Sequence, residues 1–142
     1  MKTIKIKTFH MNSSLNFPHF FILSKGYNAG KPLKKPCPNC FIVIAENEEH
    51  KYQLFWICYC LWKSGAYLPM LRGSVIPFLS IRDASTVVQR ALTAVETRKD
   101  EFDRQIKKLS HLTHLEKQLC LQIKLICELK ASLVYKVTRT DK

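Results

Sequence analysis

Apolar and polar residues alternate in short stretches of the first third of the chain. Residues 3–9, TIKIKTF, alternate apolar and basic side chains, which predicts a half-buried strand with Lys5 and Lys7 on its outer face. Residues 20–24, FFILS, form a second short apolar run. Residues 41–45, FIVIA, form a third, whose β-branched side chains suit a buried strand. The pattern predicts a small mixed sheet of three to five strands.

The segment that follows changes to a helical pattern. Residues 46–64, ENEEHKYQLFWICYCLWKS, open with three glutamates, which complement the dipole at a helix N-terminus. Gly65 directly afterwards is a typical stop. The helix would have four or five turns and be apolar over much of its circumference, so we expect it to be largely buried. The first 82 residues therefore predict an α+β fold, a small sheet packed on one buried Trp- and Cys-rich helix.

Residues 83–142 carry a long helical pattern, with apolar side chains at alternating steps of three and four. One set, in which Lys99 takes an expected apolar position, is Val88, Leu92, Val95, Phe102, Ile106 and Leu109. A second set, in which Glu116 and Lys130 take two expected apolar positions, is Leu112, Leu119, Ile123, Ile126, Leu133 and Val137. The pattern shifts phase between the two sets, and residues 113–116, THLE, match a capping box.

Two architectures fit this C-terminal extension. One is a single helix of roughly fifty residues, about 75 Å long. The other is an antiparallel helical hairpin that breaks near residues 110–113. The absence of Gly and Pro after Arg82 favours continuity, whereas the phase shift and the capping box favour a break. We expect the hairpin, because it buries the apolar stripe.

The extension is also the expected docking surface for a protein partner or for a second copy of the chain. Its docking residues would be Leu109, Leu112, Leu119, Ile123, Ile126, Leu133 and Val137. We therefore divide the chain into a small α+β domain, residues 1–82, and a helical, coiled-coil-like extension, residues 83–142.

A formal charge of +12 in 142 residues favours a polyanionic partner. Residues 1–40 contain seven lysines and no acidic residue, and most of this charge falls in one loop rich in Gly and Pro. The expected phosphate contacts are Lys25, Lys31, Lys34, Lys35 and Arg72, and Tyr27 and Asn28 could reach bases or sugars. The charge could instead serve solubility alone. Duplex DNA is the polyanion we expect.

The cysteines and the remaining polar residues indicate no enzyme and no cofactor. The CPNC segment gives Cys37 and Cys40 the spacing of a zinc knuckle, and they are weak metal candidates. The second pair, Cys58 and Cys60, would point about 200° apart on a helix, so its two sulfurs could not face one metal. Histidines and carboxylates show no spacing typical of a catalytic site.

The chain shows no secretory signal, and its longest apolar run, residues 54–62, is well short of the ~20 residues that span a bilayer. A cytoplasmic protein with reduced thiols and no membrane association is therefore expected.

Residues 37–83 resemble the closing half of a target recognition domain in the specificity subunits of type I restriction-modification systems. Their sequence is CPNCFIVIAENEEHKYQLFWICYCLWKSGAYLPMLRGSVIPFLSIRD. In that family a strand is followed by a helix with YLFYFL-like residues. A GS-x-I-P-x-L segment comes next, which corresponds to residues 73–79 here, and a long spacer helix follows it. The tail, residues 126–142, is similar to the end of that spacer helix. The family's PLPPLxEQ stretch is replaced here by ASTVVQRALTAVE, and the chain is about a third of the length of such a subunit.

The resemblance implies that Gly73 makes a tight turn and that a short strand then rejoins the sheet before the spacer helix begins. It also implies a non-enzymatic DNA-binding module whose spacer helix, with Leu109 to Val137, docks other subunits. The sequence is similar as well to small bacterial proteins of unknown function associated with mobile elements. A protein–protein adaptor, in which the charge plays no part, is the alternative.

Overall fold

The computed structural model describes residues 3–139, which form an α+β fold. The described strands are β1 Lys5–Thr8, β2 His19–Leu23, β3 Pro32–Leu33 and β4 Cys40–Ile44. The described helices are α1 Glu48–Lys63, α2 Ile81–Glu96 and α3 Lys99–Thr138, with a short 3₁₀ turn at Leu68–Met70. The predicted fold class is confirmed, as are the three strands and the first helix that the sequence pattern indicated.

The strands pair in the order β1-β4-β2-β3, and every pairing among the described residues is antiparallel. We had expected a mixed sheet, and that detail of the prediction is wrong. The central pair places Phe20 opposite Val43 and Phe21 opposite Ile42. Because neighbouring residues of a strand point to opposite faces, both faces of this short sheet are apolar. That explains why the two central strands read as continuous apolar runs in the sequence.

One face of the sheet packs against α1 and α2. The rings of Phe20 and Phe55 meet edge to face with centroids 5.4 Å apart, which joins β2 to α1. α2 packs against α1 and against β1, where the Ile4 amide donates to Gln89 Oε1 at 2.9 Å. The side chains that lie fully buried in this unit include Ile22, Val43, Leu54, Ile57, Val88 and Leu92. On the opposite face Phe21, Cys40 and Ile42 form a smaller cluster.

The ends of α1 and α2 are set by local hydrogen bonds. Asn47 caps α1, its side-chain oxygen accepting from the His50 amide at 2.8 Å, and Gly65 ends the helix with a φ of 74°. Ser80 caps α2, its hydroxyl accepting from the Asp83 amide at 3.1 Å. Side-chain oxygens at these positions satisfy amides that have no partner within the helix.

The predicted hairpin break near residues 110–113 is wrong, because α3 runs without interruption from Lys99 to Thr138. The phase shift of the apolar pattern moves the stripe around the helix without breaking it, since the residues there are all compatible with a helix. The break lies earlier, at Thr97, whose hydroxyl donates to the Ala94 carbonyl at 2.8 Å.

The chain divides into two compact units between Arg98 and Lys99. The first unit is the sheet with α1 and α2, and the second is α3. α2 belongs to the first unit because its apolar face, which includes Ala84, Val88 and Leu92, is buried there.

The segment at residues 73–79 does not form the strand that the resemblance implied. Gly73 makes the expected tight turn with a φ of 98°, and the amides and carbonyls of Arg72 and Phe78 bond to each other at 2.8 and 3.0 Å. Phe78 also forms an isolated bridge with Lys25, just beyond the end of β2. Two hydrogen bonds make this bridge, from the Gly26 amide to the Pro77 carbonyl at 2.7 Å and from the Leu79 amide to the Ser24 carbonyl at 2.8 Å.

Candidate nucleic-acid interface

The basic loop between β2 and β3 is held firmly against the end of α1. Gly30 has a φ of 96°, and a side chain at its position would begin 2.1 Å from Cδ2 of the buried Tyr67 ring. The loop backbone therefore lies directly on that ring, which only glycine permits. Two backbone hydrogen bonds close the turn. The Gly30 amide donates to the Leu23 carbonyl at 2.8 Å, and the Lys31 amide donates to the Asn28 carbonyl at 3.0 Å.

This contact creates a concavity between the loop and the C-terminal end of α1. Its volume is about 280 Å³. The lining side chains include Tyr27 and Asn28 from the loop, Trp62 and Lys63 from α1, and Leu68 from the 3₁₀ turn. Tyr27 is 80% exposed, so its ring is free to contact a ligand. The concavity thus combines three aromatic rings, those of Tyr27, Trp62 and Tyr67, with an amide and an ammonium group.

Two lysines flank the indole of Trp62. Lys31 Nζ lies 5.2 Å from the ring centroid and Lys63 Nζ lies 4.7 Å from it. An ammonium group at this distance is attracted by the electrons of the ring. The indole of Trp62, which lines the concavity, therefore has two positive charges near it, one from the loop and one from the helix. We call Tyr27, Asn28, Lys31, Trp62 and Lys63 the Trp62 surface.

The acidic residues of α1 lie at its other end. Glu48 and Glu49 occupy the first turn, whereas Lys63 is the last residue. The rise of 1.5 Å per residue from Glu48 to Lys63 separates the two ends by roughly 22 Å, which is more than twice the Debye length at physiological salt. The Trp62 surface is therefore positive without local compensation from the carboxylates of its own helix.

The structure brings only some of the predicted phosphate contacts to this surface. Lys25 belongs to the same loop and is exposed, and Lys31 lies over Trp62. Lys34 and Lys35 are exposed but follow the other end of β3. Arg72 is paired with Asp83, with Nη2 3.2 Å from Oδ2, so its charge is partly compensated.

Trp62 and Lys63 were not among the predicted site residues, because α1 was expected to be largely buried. Trp62 is half-buried and Lys63 exposed, as befits the last turn of a helix. The signal for them was Lys63 two residues before the helix stop at Gly65, which marks this turn as one end of the helix. The contact between Trp62 and Lys31 joins residues 31 positions apart, and no local pattern in the sequence indicates it.

The cysteines are arranged as core and surface residues. The Cys40 thiol donates to the Cys37 carbonyl at 3.0 Å, and burial raises the pKa of Cys40. Burial also raises the pKa of Cys60, and that of Cys58 to about 12. These thiols stay protonated at neutral pH, and it is the thiolate that binds metals. Among residues 3–139 no group of three or more His, Cys, Asp or Glu side chains could hold a metal ion.

Tyr67, which supports the loop, is buried beside the Cys58 thiol. Its hydroxyl has no hydrogen bond of ordinary geometry among the described residues, and its pKa is raised, chiefly by burial and then by Cys58. The group is thus a neutral structural support beneath the concavity. Within the described part of the chain no helix is long and apolar enough to cross a membrane.

The fold and this surface define a small α+β protein with a basic, aromatic concavity and a separate long helix. The chain belongs to a family of unknown function, DUF6943, whose model matches residues 6–136. The match includes both the Trp62 surface and almost all of α3. No curated protein and no solved structure matches the chain.

Proposed function

We propose that this protein is a non-enzymatic DNA-binding module that contacts DNA through the Trp62 surface. The observation that carries the proposal is that the ammonium groups of Lys31, from the loop, and Lys63, from α1, both lie over the indole of Trp62, which lines the concavity. Ammonium groups neutralise phosphates, and each contact adds affinity that weakens with salt. Lys25 is a further exposed lysine on the same loop.

The aromatic side chains add a preference for unpaired bases over duplex DNA to this electrostatic contact. Phosphates are equally accessible in duplex and single-stranded DNA, but a ring at the surface can stack only on a base that is not enclosed in a duplex. Tyr27 is exposed and Trp62 lines the same concavity. The protein therefore binds an unpaired stretch at least as tightly as a duplex, and Asn28 is placed to donate to or accept from a base edge.

The resemblance to specificity subunits supports the same proposal in its general form. A compact unit would contact DNA while a long helix holds a protein partner, and the six cysteines, all free, suit the reducing cytoplasm in which such systems work. The part of the resemblance that concerns residues 73–79 is weakened, because that segment makes isolated bridges and no strand.

The experiment that tests the proposal is charge removal at the Trp62 surface. Lys31→Gln combined with Lys63→Gln should weaken the binding of a fluorescein-labelled oligonucleotide by roughly tenfold at low salt, since two phosphate contacts are lost. The matched control is Lys107→Gln combined with Lys108→Gln, which removes the same charge from exposed positions of α3. Equal losses in both double variants would show that net charge, and not this surface, carries the binding.

The alternative is a protein–protein adaptor without a nucleic-acid role, favoured by the exposed apolar side chains of α3. The same variants separate the two proposals. An adaptor keeps its partner binding when Lys31 and Lys63 are changed, and the unchanged protein shows no DNA binding even at low salt.

A further inference from the structure

The second half of α3 presents a stripe of exposed apolar side chains. Counting Leu109 as position a of a heptad, the a positions are Leu109, Glu116, Ile123, Lys130 and Val137, and the d positions are Leu112, Leu119, Ile126 and Leu133. Ile123 is 61% exposed and Leu119 is 58% exposed. An a and d stripe sustained over four heptads is the pattern by which helices pair side by side. We call it the α3 stripe.

The two charged residues of the stripe indicate how it pairs. Glu116 and Lys130 are both a positions and lie at equal distances on either side of Ile123. In a parallel pair in register, each Glu116 would face another Glu116 and each Lys130 another Lys130, which repel each other. In an antiparallel pair with its twofold axis near Ile123, each Glu116 lies beside the Lys130 of the other copy.

Other residues of the stripe match under the same axis. Leu109 and Val137 are also equally far from Ile123, so the apolar ends of the stripe cover each other. Cys120 and Cys127 are both exposed e positions, and the midpoint between them falls between residues 123 and 124. In the antiparallel pair, each Cys120 therefore lies next to the Cys127 of the other copy.

We propose that the protein forms an antiparallel homodimer through the α3 stripe, with a twofold axis near Ile123 and reciprocal contacts between Glu116 and Lys130. The occupant of the stripe is a second copy of this chain, because its own charge pattern is complementary to itself in the reversed direction. This specifies the docking role of α3. It is independent of DNA binding, since none of its residues belongs to the Trp62 surface.

Charge exchange tests the proposal on the full chain. Sedimentation equilibrium should give twice the monomer mass of 16.5 kDa. Glu116→Lys alone, or Lys130→Glu alone, should raise the dissociation constant by about tenfold or more, because two attractive contacts become repulsive. The double exchange should restore it to within about threefold of the original value. A parallel dimer would respond little to any of the three, and that result overturns the proposal.

A matched control changes the same charge on the opposite side of the helix. Glu128 is exposed, lies two residues beyond Ile126, and has Lys124 Nζ 3.9 Å from Oε1. Glu128→Lys should leave the dissociation constant within about threefold of the original value. A monomer at every concentration up to about 100 μM, or a trimer or tetramer, contradicts the proposal outright, whether or not the protein binds DNA.

Cross-linking tests the direction of the helices separately. A short bis-maleimide should join Cys120 of one copy to Cys127 of the other, and peptide mapping by mass spectrometry should identify that mixed link. Either Cys120→Ser or Cys127→Ser should then abolish the covalent dimer. Links of Cys120 to Cys120, or of Cys127 to Cys127, that survive these single changes would show parallel helices and overturn the proposal.

Discussion

The backbone of Gly30 rests on the ring of Tyr67 so closely that a side chain at residue 30 would begin 2.1 Å from Cδ2 of the ring. This contact joins the basic loop to the corner after α1 and places Lys31 within 5.2 Å of the Trp62 ring centroid. The position of a glycine thus decides where the positive charge of the loop lies.

Gly30→Ala should destabilise the fold by about 3 kcal/mol, the sum of an unfavourable positive φ and overpacking against Tyr67. Gly26→Ala is the matched control, because its φ is also positive, at 90°, and nothing lies within 4 Å of the added carbon. It should cost only about 1 kcal/mol. Urea unfolding followed by circular dichroism measures both, and equal losses would mean that the Tyr67 contact is unimportant.

Ser80→Ala should lower the free energy of unfolding by about 1 kcal/mol. The Ser80 hydroxyl accepts from the Asp83 amide at 3.1 Å and donates to Asp83 Oδ2 at 2.7 Å, and the change removes both bonds. Thr86→Ala in the same helix serves as the control, since Thr86 is exposed and bonds only to the carbonyl of the preceding turn among the described residues. It should change stability by less than about 0.5 kcal/mol.

The buried thiol of Cys58 should make stability depend on alkaline pH. Its pKa rises from 9.0 to about 12 in the folded protein, so the unfolded chain loses this proton first as the pH increases. The free energy of unfolding should therefore be constant below pH 9 and fall between pH 9 and 12, by up to about 1.4 kcal/mol per pH unit for this group. Tyr67, whose pKa is also raised, acts in the same direction.

Cys58→Ala should reduce this slope, whereas Cys120→Ala, at an exposed position of α3, should leave it unchanged. Urea titrations at pH 8, 9 and 10 in the presence of a reductant provide the comparison. The account of Cys58 fails if the slope is the same in all three proteins.

Trp62→Leu should weaken the binding of single-stranded DNA by about 1–3 kcal/mol, the usual loss when a stacking ring is removed. Duplex binding should change much less, because phosphate contacts do not require the ring. Tyr52→Leu, an aromatic change at the opposite end of α1 where Tyr52 is half-exposed, is the control and should alter neither affinity. Equal losses for single strand and duplex would contradict a stacking role.

Features governed by local chemistry were predictable from the sequence. The alternation in residues 3–9 and the glutamates and Gly65 around α1 gave β1 and α1 within a few residues of their observed ends. The short break at Thr97 was not predictable, because neither Gly nor Pro marks it. Nor was the Trp62 surface, since it depends on the packing of Gly30 on Tyr67 and not on any spacing along the chain.

The central claim is that the Trp62 surface binds DNA, and the most direct measurement is fluorescence anisotropy with labelled single-stranded and duplex oligonucleotides at several salt concentrations. We expect micromolar or tighter binding at 50 mM salt, a single-strand affinity at least equal to that of the duplex, and a steep loss by roughly 200 mM salt. An absence of binding to either oligonucleotide at 50 mM salt would contradict the claim.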